Sequence, residues 1–147
     1  MMGLTHLDEN GKVKMVDVSD KEITKRVAVA SGEVLCKPET IQAILQGNIK
    51  KGDVFACARI AGIMAAKKTA EIIPLCHILN ISSVDISITS EIEKIIVKAT
   101  VSCEGKTGVE MEALTAVTGA CLCIYDMCKA IDKTMIINDI KLLSKTK

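Results

Sequence analysis

Two neighbouring segments of the chain alternate hydrophobic and polar side chains with the period of a β-strand. Apolar residues recur at nearly every second position in residues 81–88 and again in residues 95–101. This period places one face of each strand in the interior of the protein. The polar stretch from Glu91 to Lys94 separates the two segments, so the pattern predicts a hairpin with its turn there.

Helical signals lie on both sides of this hairpin. Pro38 suits the first turn of a helix and Gly47 suits its end. Asp53 is a favourable N-cap for a second helix, and the apolar pattern continues from it until Pro74, which a helix interior excludes. A long third helix is expected over about residues 109–131.

The remaining segments predict a first and a last strand. If the two consecutive helices are counted as one, the order of elements is β-α-β-β-α-β. Residues 27–35 predict a strand, or a hairpin that turns around Gly32, and residues 135–143 predict a last strand. This order is typical of a ferredoxin-like (split β-α-β) α+β fold, whose largely antiparallel sheet is covered by helices on one face. We expect a single domain over residues 1–147, with residues 1–24 as an N-terminal arm. The other face of the sheet would be covered only in an oligomer.

The composition also favours assembly into an oligomer. Hydrophobic residues make up 49% of the 147 residues, but aromatic residues make up only 1%, and Phe55 and Tyr125 are the only two. A core of small aliphatic side chains buries less area per residue than one with aromatic rings. Small residues lie on several sides of the second helix, so one of those sides is a candidate subunit interface.

Charge and cysteine content narrow the classes of partner and compartment. A net charge of +1 and the scarcity of aromatic rings argue against a nucleic-acid partner. The N-terminus has no apolar stretch of signal-peptide length, and the weakly polar run 113–125 is too short to cross a bilayer, so we expect a cytoplasmic protein without a membrane partner. Seven cysteines without a C-x-x-C pair predict free thiols in a reducing compartment and no metal site.

Three groups of side chains are candidates for chemistry. His77 follows the helix-ending Pro74, where it is either a proton-transfer group or an ordinary loop histidine. Asp126 and Lys129 are spaced i, i+3 after thirteen uncharged residues, which fits either a functional pair or a surface ion pair. A third group consists of cations without obvious partners, and each is either a phosphate ligand or a solvated side chain. These cations are Arg26, Lys50, Lys51, Lys67 and Lys68.

Two glutamates in the segment GKTGVEMEALTAV pose a geometric question. If Val109 to Glu112 is extended, Glu110 and Glu112 project to the same face. If the helix has already begun, they diverge by about 200°. Glu112 then lies roughly 21 Å along the axis from Asp126. Within one subunit those two acids cannot act on one atom, so they serve either two ends of a long ligand or sites shared between subunits.

Several segments, taken together, resemble the MoaC family of molybdenum-cofactor biosynthesis. The similar segments are LTHLDENGKVKMVDV, TKRVAVASGEV, KKGDVFACARIAGIMAAKKTAEIIPLCHIL, GKTGVEMEALTAVTGACLCIYDMCKAIDK and IKLL, in the same order and spacing over about residues 4–143. The resemblance implies a lyase that converts (8S)-3′,8-cyclo-7,8-dihydroguanosine 5′-triphosphate into cyclic pyranopterin monophosphate and diphosphate. It also implies a homohexamer, a trimer of dimers, with active sites at the dimer interface.

The resemblance assigns roles residue by residue. The implied catalytic residues are Asp126, Lys129, Lys51 and His77. The implied substrate-binding residues are Leu75, Cys76, His77, Met111 and Glu112, with Glu110, Arg26, Lys67 and Asp17 at further pocket positions. We expect the acid and base groups to open and reclose the ring system, and the cations to stabilise the charge that develops at phosphate. Glu112 is expected to read the base end of the ligand.

The implied reaction is a rearrangement without net electron transfer. We therefore expect no tightly bound cofactor, and Mg²⁺ only as a companion of the triphosphate. The chain departs from the family pattern at Ile78, where proline is usual, and at the terminal residues 144–147, where a glycine-rich tail is usual. A different class of function for the same fold is a small-molecule-sensing module that binds a nucleotide without turnover.

Overall fold

The computed structural model describes residues 6–147, and it contains four strands and four helices, of which the short third helix was not predicted. The first half comprises β1 (Thr24–Leu35), α1 (Pro38–Leu45), α2 (Val54–Lys67) and α3 (Thr69–Ile72). The second half comprises β2 (Ile81–Ser90), β3 (Lys94–Gly105), α4 (Glu110–Cys128) and β4 (Ile136–Thr146). The predicted arm over residues 1–24 begins outside the described residues, which contain one isolated bridge of it between Leu7 and Val13.

The four strands form one antiparallel sheet in the order β2-β3-β1-β4. Alternate residues of β1 and β3, including Ala28, Val34 and Val97, are fully buried beneath the helices. The predicted hairpin is confirmed, and its turn is closed by the Glu91 amide donating to the Lys94 carbonyl. The prediction of an α+β protein with an antiparallel sheet is therefore confirmed.

The glycine in β1 marks a close approach between strand and helix. The strand is continuous from Thr24 to Leu35, so the alternative of a hairpin around Gly32 is wrong. A Cβ on Gly32 would lie 2.7 Å from Val117 Cγ1 of α4 and 3.0 Å from Ile140 Cγ1 of β4. Glycine inside a strand often allows such contact with another element, and here it lets α4 lie against the sheet.

The predicted helix ends are largely confirmed, with one correction. Gly47 adopts a φ of +73° after α1, and the Asp53 carboxylate accepts a hydrogen bond from the Ala56 amide at 3.0 Å, capping α2. The second helix does not continue to Pro74, because it stops at Lys67 and a short α3 follows. The Thr69 hydroxyl donates to the Ala66 carbonyl at 2.9 Å, and such local bonds compete with the regular helical pattern.

The long helix α4 is the centre of the core. Glycines allow α2 to pack closely on it, because a Cβ on Gly119 would lie 2.6 Å from Ala65 Cβ. By length and composition alone, the 19 residues of α4 could cross a membrane, but it packs against α2 and three strands. Its apolar character is therefore explained by burial within the fold.

Large apolar side chains are exposed in several parts of the described residues, including the outer surface of the helices. Ile60 and Met64 of α2 and Leu122 of α4 are each more than half exposed. The sheet face away from the helices carries polar side chains as well, with Ser83 and Ser102 in hydrogen-bond contact across β2 and β3. The outer surface of α2 and α4 therefore carries apolar side chains that a partner would cover.

Candidate active site

The predicted substrate-binding residues gather at the N-terminal end of α4. A cavity of about 620 Å³ adjoins a smaller one of about 200 Å³, and the two share His6, His77, Thr107, Gly108 and Glu110. Leu75, Cys76, Met111 and Glu112 line the smaller cavity, and Arg26 lines the larger. We call this pair of cavities the ring pocket. Strands β1 and β4, the loop before α4 and the loop after α3 all contribute to it.

His77 is held by the N-terminal arm. Its Nε2 lies in hydrogen-bond contact with the carbonyl oxygen of Val16. A carbonyl can only accept, so Nε2 carries the proton and Nδ1 remains for another partner. Asp17 lies beside Val16, and hydrogen bonds from Ser19, assisted by the charges of Lys106 and His77, lower the pKa of its carboxyl. The arm therefore fixes the tautomer of His77 and adds an anion near it.

Arg26 is tied to the loop that precedes α4. Its guanidinium donates to the carbonyls of Gly105 at 3.3 Å and Lys106 at 3.2 Å. The Lys106 ammonium in turn donates to the carbonyl of Ser19 in the arm at 3.1 Å. These bonds join β1, the loop and the arm, so Arg26 supports the wall of the ring pocket as well as supplying a cation.

The two glutamates at the start of α4 have different surroundings. The helix begins at Glu110, which settles the geometric question in favour of divergent side chains. Glu112 is only 4% exposed, and burial raises the pKa of its carboxyl, with the nearby Glu110 charge adding to the shift. Burial, followed by the charges of both glutamates, also raises the pKa of the Cys76 thiol, so Cys76 is a neutral wall group at neutral pH.

Glu110 is folded back over a glycine at the mouth of the pocket. A Cβ on Gly108 would overlap its Oε2 atom, so only glycine leaves room for the carboxylate in this orientation. Its Oε1 atom lies 3.8 Å from the ammonium of Lys145 in β4. Its Oε2 atom is buried and accepts no hydrogen bond from residues 6–147.

The predicted catalytic residues other than His77 lie at the opposite end of α4. Asp126 accepts from Lys51 and from Lys129, each at 3.0 Å, and the Lys51 ammonium also donates to the Asp126 carbonyl at 3.1 Å. We call these three residues the lysine–aspartate triad. Hydrogen bonds from Lys129 and then Lys51, together with their charges, lower the pKa of the Asp126 carboxyl. All three side chains are about half exposed.

The two groups of residues are far apart within the chain. Glu112 and Asp126 are fourteen residues apart on one continuous helix, which separates them by roughly 21 Å along its axis. Lys67 belongs to neither group, because it lines a separate cavity beside the start of β2 that shares only Leu79 with the ring pocket. The structure thus brings together the predicted substrate-binding residues other than Lys67 and Asp17, and keeps them apart from the triad. Asp17 lies next to the lining residue Val16 but is not itself in the lining.

Two residues near these groups were not identified from the sequence. Lys145 belongs to the part of β4 beyond the predicted end at residue 143, and it reaches the ring pocket because the strand pairs with β1 as far as Val27. The departure of residues 144–147 from the family tail was the only signal for it. His6 also lines both cavities, so both histidines of the chain lie at this site.

Asp132 anchors the loop that follows α4. It is 1% exposed and accepts hydrogen bonds from Lys37 and Thr40 at the start of α1 and from the amide and hydroxyl of Thr134. Burial alone would raise the pKa of its carboxyl, but these bonds lower it far below the usual range. Asp132 thereby ties the loop after α4 to α1, whose N-cap residue Lys37 makes no side-chain cap of its own.

Comparison with known proteins points to one family over nearly the whole chain. A family model described as the MoaC family matches residues 15–147. Cyclic pyranopterin monophosphate synthase of Chloroflexus aurantiacus is 58% identical over 144 residues, covering 97% of this chain and 88% of the relative. The protein of the same name from Thermoanaerobacter sp. strain X514 is 57% identical, with 99% and 93% covered. The one from Cereibacter sphaeroides is 54% identical, with 99% and 92% covered.

Proposed function

The chain belongs to the MoaC family, and from that premise we propose that the protein forms cyclic pyranopterin monophosphate in molybdenum-cofactor biosynthesis. It is an enzyme, and its activity is of the lyase type. The identity to relatives named for this activity carries the proposal, because it extends over nearly the full length of both chains. The substrate is (8S)-3′,8-cyclo-7,8-dihydroguanosine 5′-triphosphate, and the second product is diphosphate.

The lysine–aspartate triad is suited to proton transfer beside phosphate. The two lysines keep Asp126 ionised, so it can accept a proton from a sugar-derived hydroxyl. That oxygen then forms a bond to the α-phosphorus while the bond from the α-phosphorus to the diphosphate oxygen breaks. Lys51 and Lys129 would stabilise the negative charge that grows on the departing diphosphate.

The ring pocket is suited to hold and rearrange the heterocycle. His77 has its Nδ1 atom free of the hydrogen bond that occupies Nε2, so it can exchange a proton with a ring nitrogen or oxygen. Glu112 lines this pocket and is only 4% exposed, so its carboxyl group is placed to hydrogen-bond the heterocycle. Arg26 and Lys67 are further cations for the phosphates, Met111 belongs to the lining, and Asp17 lies next to the lining residue Val16.

We further propose that the working site is shared between subunits of a ferredoxin-like homohexamer, a trimer of dimers. The order β2-β3-β1-β4 and the element order β-α-β-β-α-β support the ferredoxin-like assignment. The separation of roughly 21 Å between Glu112 and Asp126 supports a composite site, because one heterocycle cannot reach both. Exposed Ile60, Met64 and Leu122 offer an apolar surface for the subunit contact.

The proposed chemistry uses no tightly bound cofactor, and Mg²⁺ enters only with the substrate triphosphate. A cytoplasmic location agrees with seven cysteines that are all free thiols, four of them buried. These parts of the proposal can be checked by metal analysis of the purified protein and by fractionation of cells.

Turnover is the direct test of the function. The purified protein is incubated with the cyclic dihydroguanosine triphosphate, and diphosphate and pterin are both quantified over time. Stoichiometric formation of the two products is expected. If the nucleotide binds but neither product appears under conditions in which a relative turns over, the protein is the non-catalytic sensing module and the enzyme assignment fails.

A further inference from the structure

We infer that Asp132 is a positioning residue for the lysine–aspartate triad, because its carboxylate holds the segment that carries Lys51 against the C-terminal end of α4. This role rests on the proposed function, in which Lys51 and Asp126 act at the phosphate. It extends to Thr40 of α1, whose buried hydroxyl donates to Asp132 at 2.8 Å. Neither Asp132 nor Thr40 belongs to the triad or lines the ring pocket.

Residues 37–51 are attached to the same end of α4 at both of their ends. At the first end, the Lys37 amide donates to Asp132 Oδ2 at 3.0 Å. At the second end, the Lys51 ammonium donates to Asp126 Oδ2 at 3.0 Å and to the Asp126 carbonyl at 3.1 Å. Asp126 lies in the last turn of α4, and Asp132 follows it in the next loop. The attachment at Asp132 therefore restricts where Lys51 lies relative to Asp126.

The two oxygens of the Asp132 carboxylate bind different parts of the chain. Oδ2 accepts from the Lys37 amide and from the Thr40 hydroxyl, both at the start of α1. Oδ1 accepts from the amide and the hydroxyl of Thr134, at 2.8 and 2.7 Å, within the same loop. The Oδ2 bonds thus join α1 to the end of α4, whereas the Oδ1 bonds hold the Asp132 side chain in its orientation.

The N-terminus of α1 depends on this carboxylate. The N-cap residue Lys37 makes no side-chain cap, so Asp132 supplies the acceptor that a capping side chain would otherwise supply. The partial positive charge of a helix N-terminus also favours an anion there. Asp132 and Thr40 are only 1% and 2% exposed, and hydrogen bonds to an ionised acceptor are stronger than those between neutral groups. The carboxylate therefore fixes the start of α1 relative to α4.

Lys51 lies in an exposed turn that follows α1 directly. The turn is tied to α1 by the Asn48 amide, which donates to the Ala43 carbonyl at 2.8 Å, and to the core by Ile49, which is 8% exposed. A displacement of α1 is therefore transmitted to Lys51 and changes its distance from Asp126. Misplacing a catalytic group by about 1 Å can cost up to ~10²-fold in rate.

Two matched substitutions separate positioning from general stability. Thr40→Val and Thr134→Val each introduce a side chain of nearly the same shape, and each removes one hydroxyl donor from the Asp132 carboxylate. Only Thr40→Val weakens the link to α1. Carboxyl-carbon NMR of aspartate-labelled protein then reports the position of Lys51 without requiring turnover, because Lys51 helps to lower the pKa of Asp126. Lys51→Ala is the reference for complete loss of this contact.

We expect Thr40→Val to raise the pKa of Asp126 towards its value in Lys51→Ala, and Thr40→Ser, which keeps the hydroxyl, to leave it as in wild type. Thr40→Val should also lower kcat by about fivefold with KM unchanged, because Lys51 acts on charge that develops only during the reaction. Thr134→Val should lose as much thermal stability as Thr40→Val but keep the Asp126 pKa and kcat of wild type. In the Lys51→Ala background, Thr40→Val should shift the Asp126 pKa no further.

A second variant tests the same link from the backbone. Lys37 has a φ of −70°, which proline adopts, so Lys37→Pro removes the amide donor to Asp132 without straining the chain. We expect it to shift the Asp126 pKa in the same direction as Thr40→Val. It also serves as the test if Thr40→Val does not fold.

An Asp126 pKa that stays at the wild-type value in both Thr40→Val and Lys37→Pro would overturn the inference, because Lys51 would then be placed independently of Asp132. Equal shifts in Thr40→Val and Thr134→Val would also overturn it, since they would reflect a general loosening of the fold. The proposed function is tested separately. Shifts as expected in a protein that forms no product would disprove only that function.

Discussion

The two ends of α4 present carboxylates in opposite environments. At the N-terminal end Glu112 is buried, and its pKa is raised by burial. At the C-terminal end Asp126 is exposed between two lysines, and its pKa is lowered by their hydrogen bonds and charges. One helix thus carries a carboxyl whose pKa is raised at one end and a carboxyl whose pKa is lowered at the other. In the proposed function, ring recognition belongs to the first end and proton removal to the second.

The largest expected effect comes from neutralising Asp126 at the C-terminal end of α4. Asp126→Asn keeps the shape but removes the base from the lysine–aspartate triad, so we expect kcat to fall by about 10²–10⁴-fold. The thermal midpoint should barely change, because the side chain is exposed. Asp139→Asn is the matched control, since Asp139 also pairs with a lysine at 3.0 Å but lies outside both site groups. Comparable kcat values for the two variants would remove Asp126 from the mechanism.

A second prediction contrasts two aspartates six residues apart. Asp132 is buried and accepts four hydrogen bonds, so Asp132→Ala should reduce the free energy of unfolding by about 3 kcal/mol, because it leaves buried donors unpaired. Chemical denaturation of this variant and of Asp126→Asn measures the difference. Equal stability of both variants would contradict a structural role for Asp132.

A third prediction tests whether the two ends work together across a subunit boundary. Asp126→Asn and Glu112→Gln should each be inactive alone, but the two proteins co-expressed and co-purified should regain roughly a quarter of wild-type activity. The reason is statistical, because half of the random dimers are mixed and each has one site with both groups intact. Failure of the mixed oligomer to regain activity, while both variants still assemble, would place the two groups in separate sites.

The smallest effects are those of pH on the two carboxylates. We expect carboxyl-carbon NMR to show Glu112 titrating above, and Asp126 below, the ordinary values near 4. A raised folded-state pKa makes the Glu112 contribution to stability full below its unfolded pKa and lost as pH rises through the folded value. The Asp126 contribution is instead present above its unfolded pKa and lost as pH falls.

The same pKa shifts also change the free energy of unfolding with pH. Between pH 4 and 7, the free energy of unfolding of Glu112→Gln should rise progressively relative to that of wild type. The reason is that the variant lacks the buried carboxyl that wild type must ionise as the pH rises. Asp126→Asn should show no such trend over that range. Parallel pH profiles of the two variants would contradict the contrast between the ends of α4.

Local patterns in the sequence were sufficient for most of the fold. Alternation predicted β2 and β3, Asp53 and Gly47 predicted helix ends, and the order of elements followed from them. Gly32 was ambiguous because a glycine in a strand fits either a turn or close packing, and only the position of α4 distinguishes these. The break at Lys68 was missed for a similar reason, since it depends on a local hydroxyl bond within an apolar pattern.

For the candidate site, the sequence determined which residue types carry the chemistry, and its resemblance to a known family indicated their roles. Spacing on one helix already implied that Glu112 and Asp126 could not meet, because helical rise fixes their separation. What only the tertiary structure decided is which distant segments surround each group. The partner of Glu110 is Lys145, thirty-five residues away in sequence and on another strand, because β4 pairs with β1 beside the start of α4. Strand pairing sets such contacts through register, which no local pattern in either segment specifies.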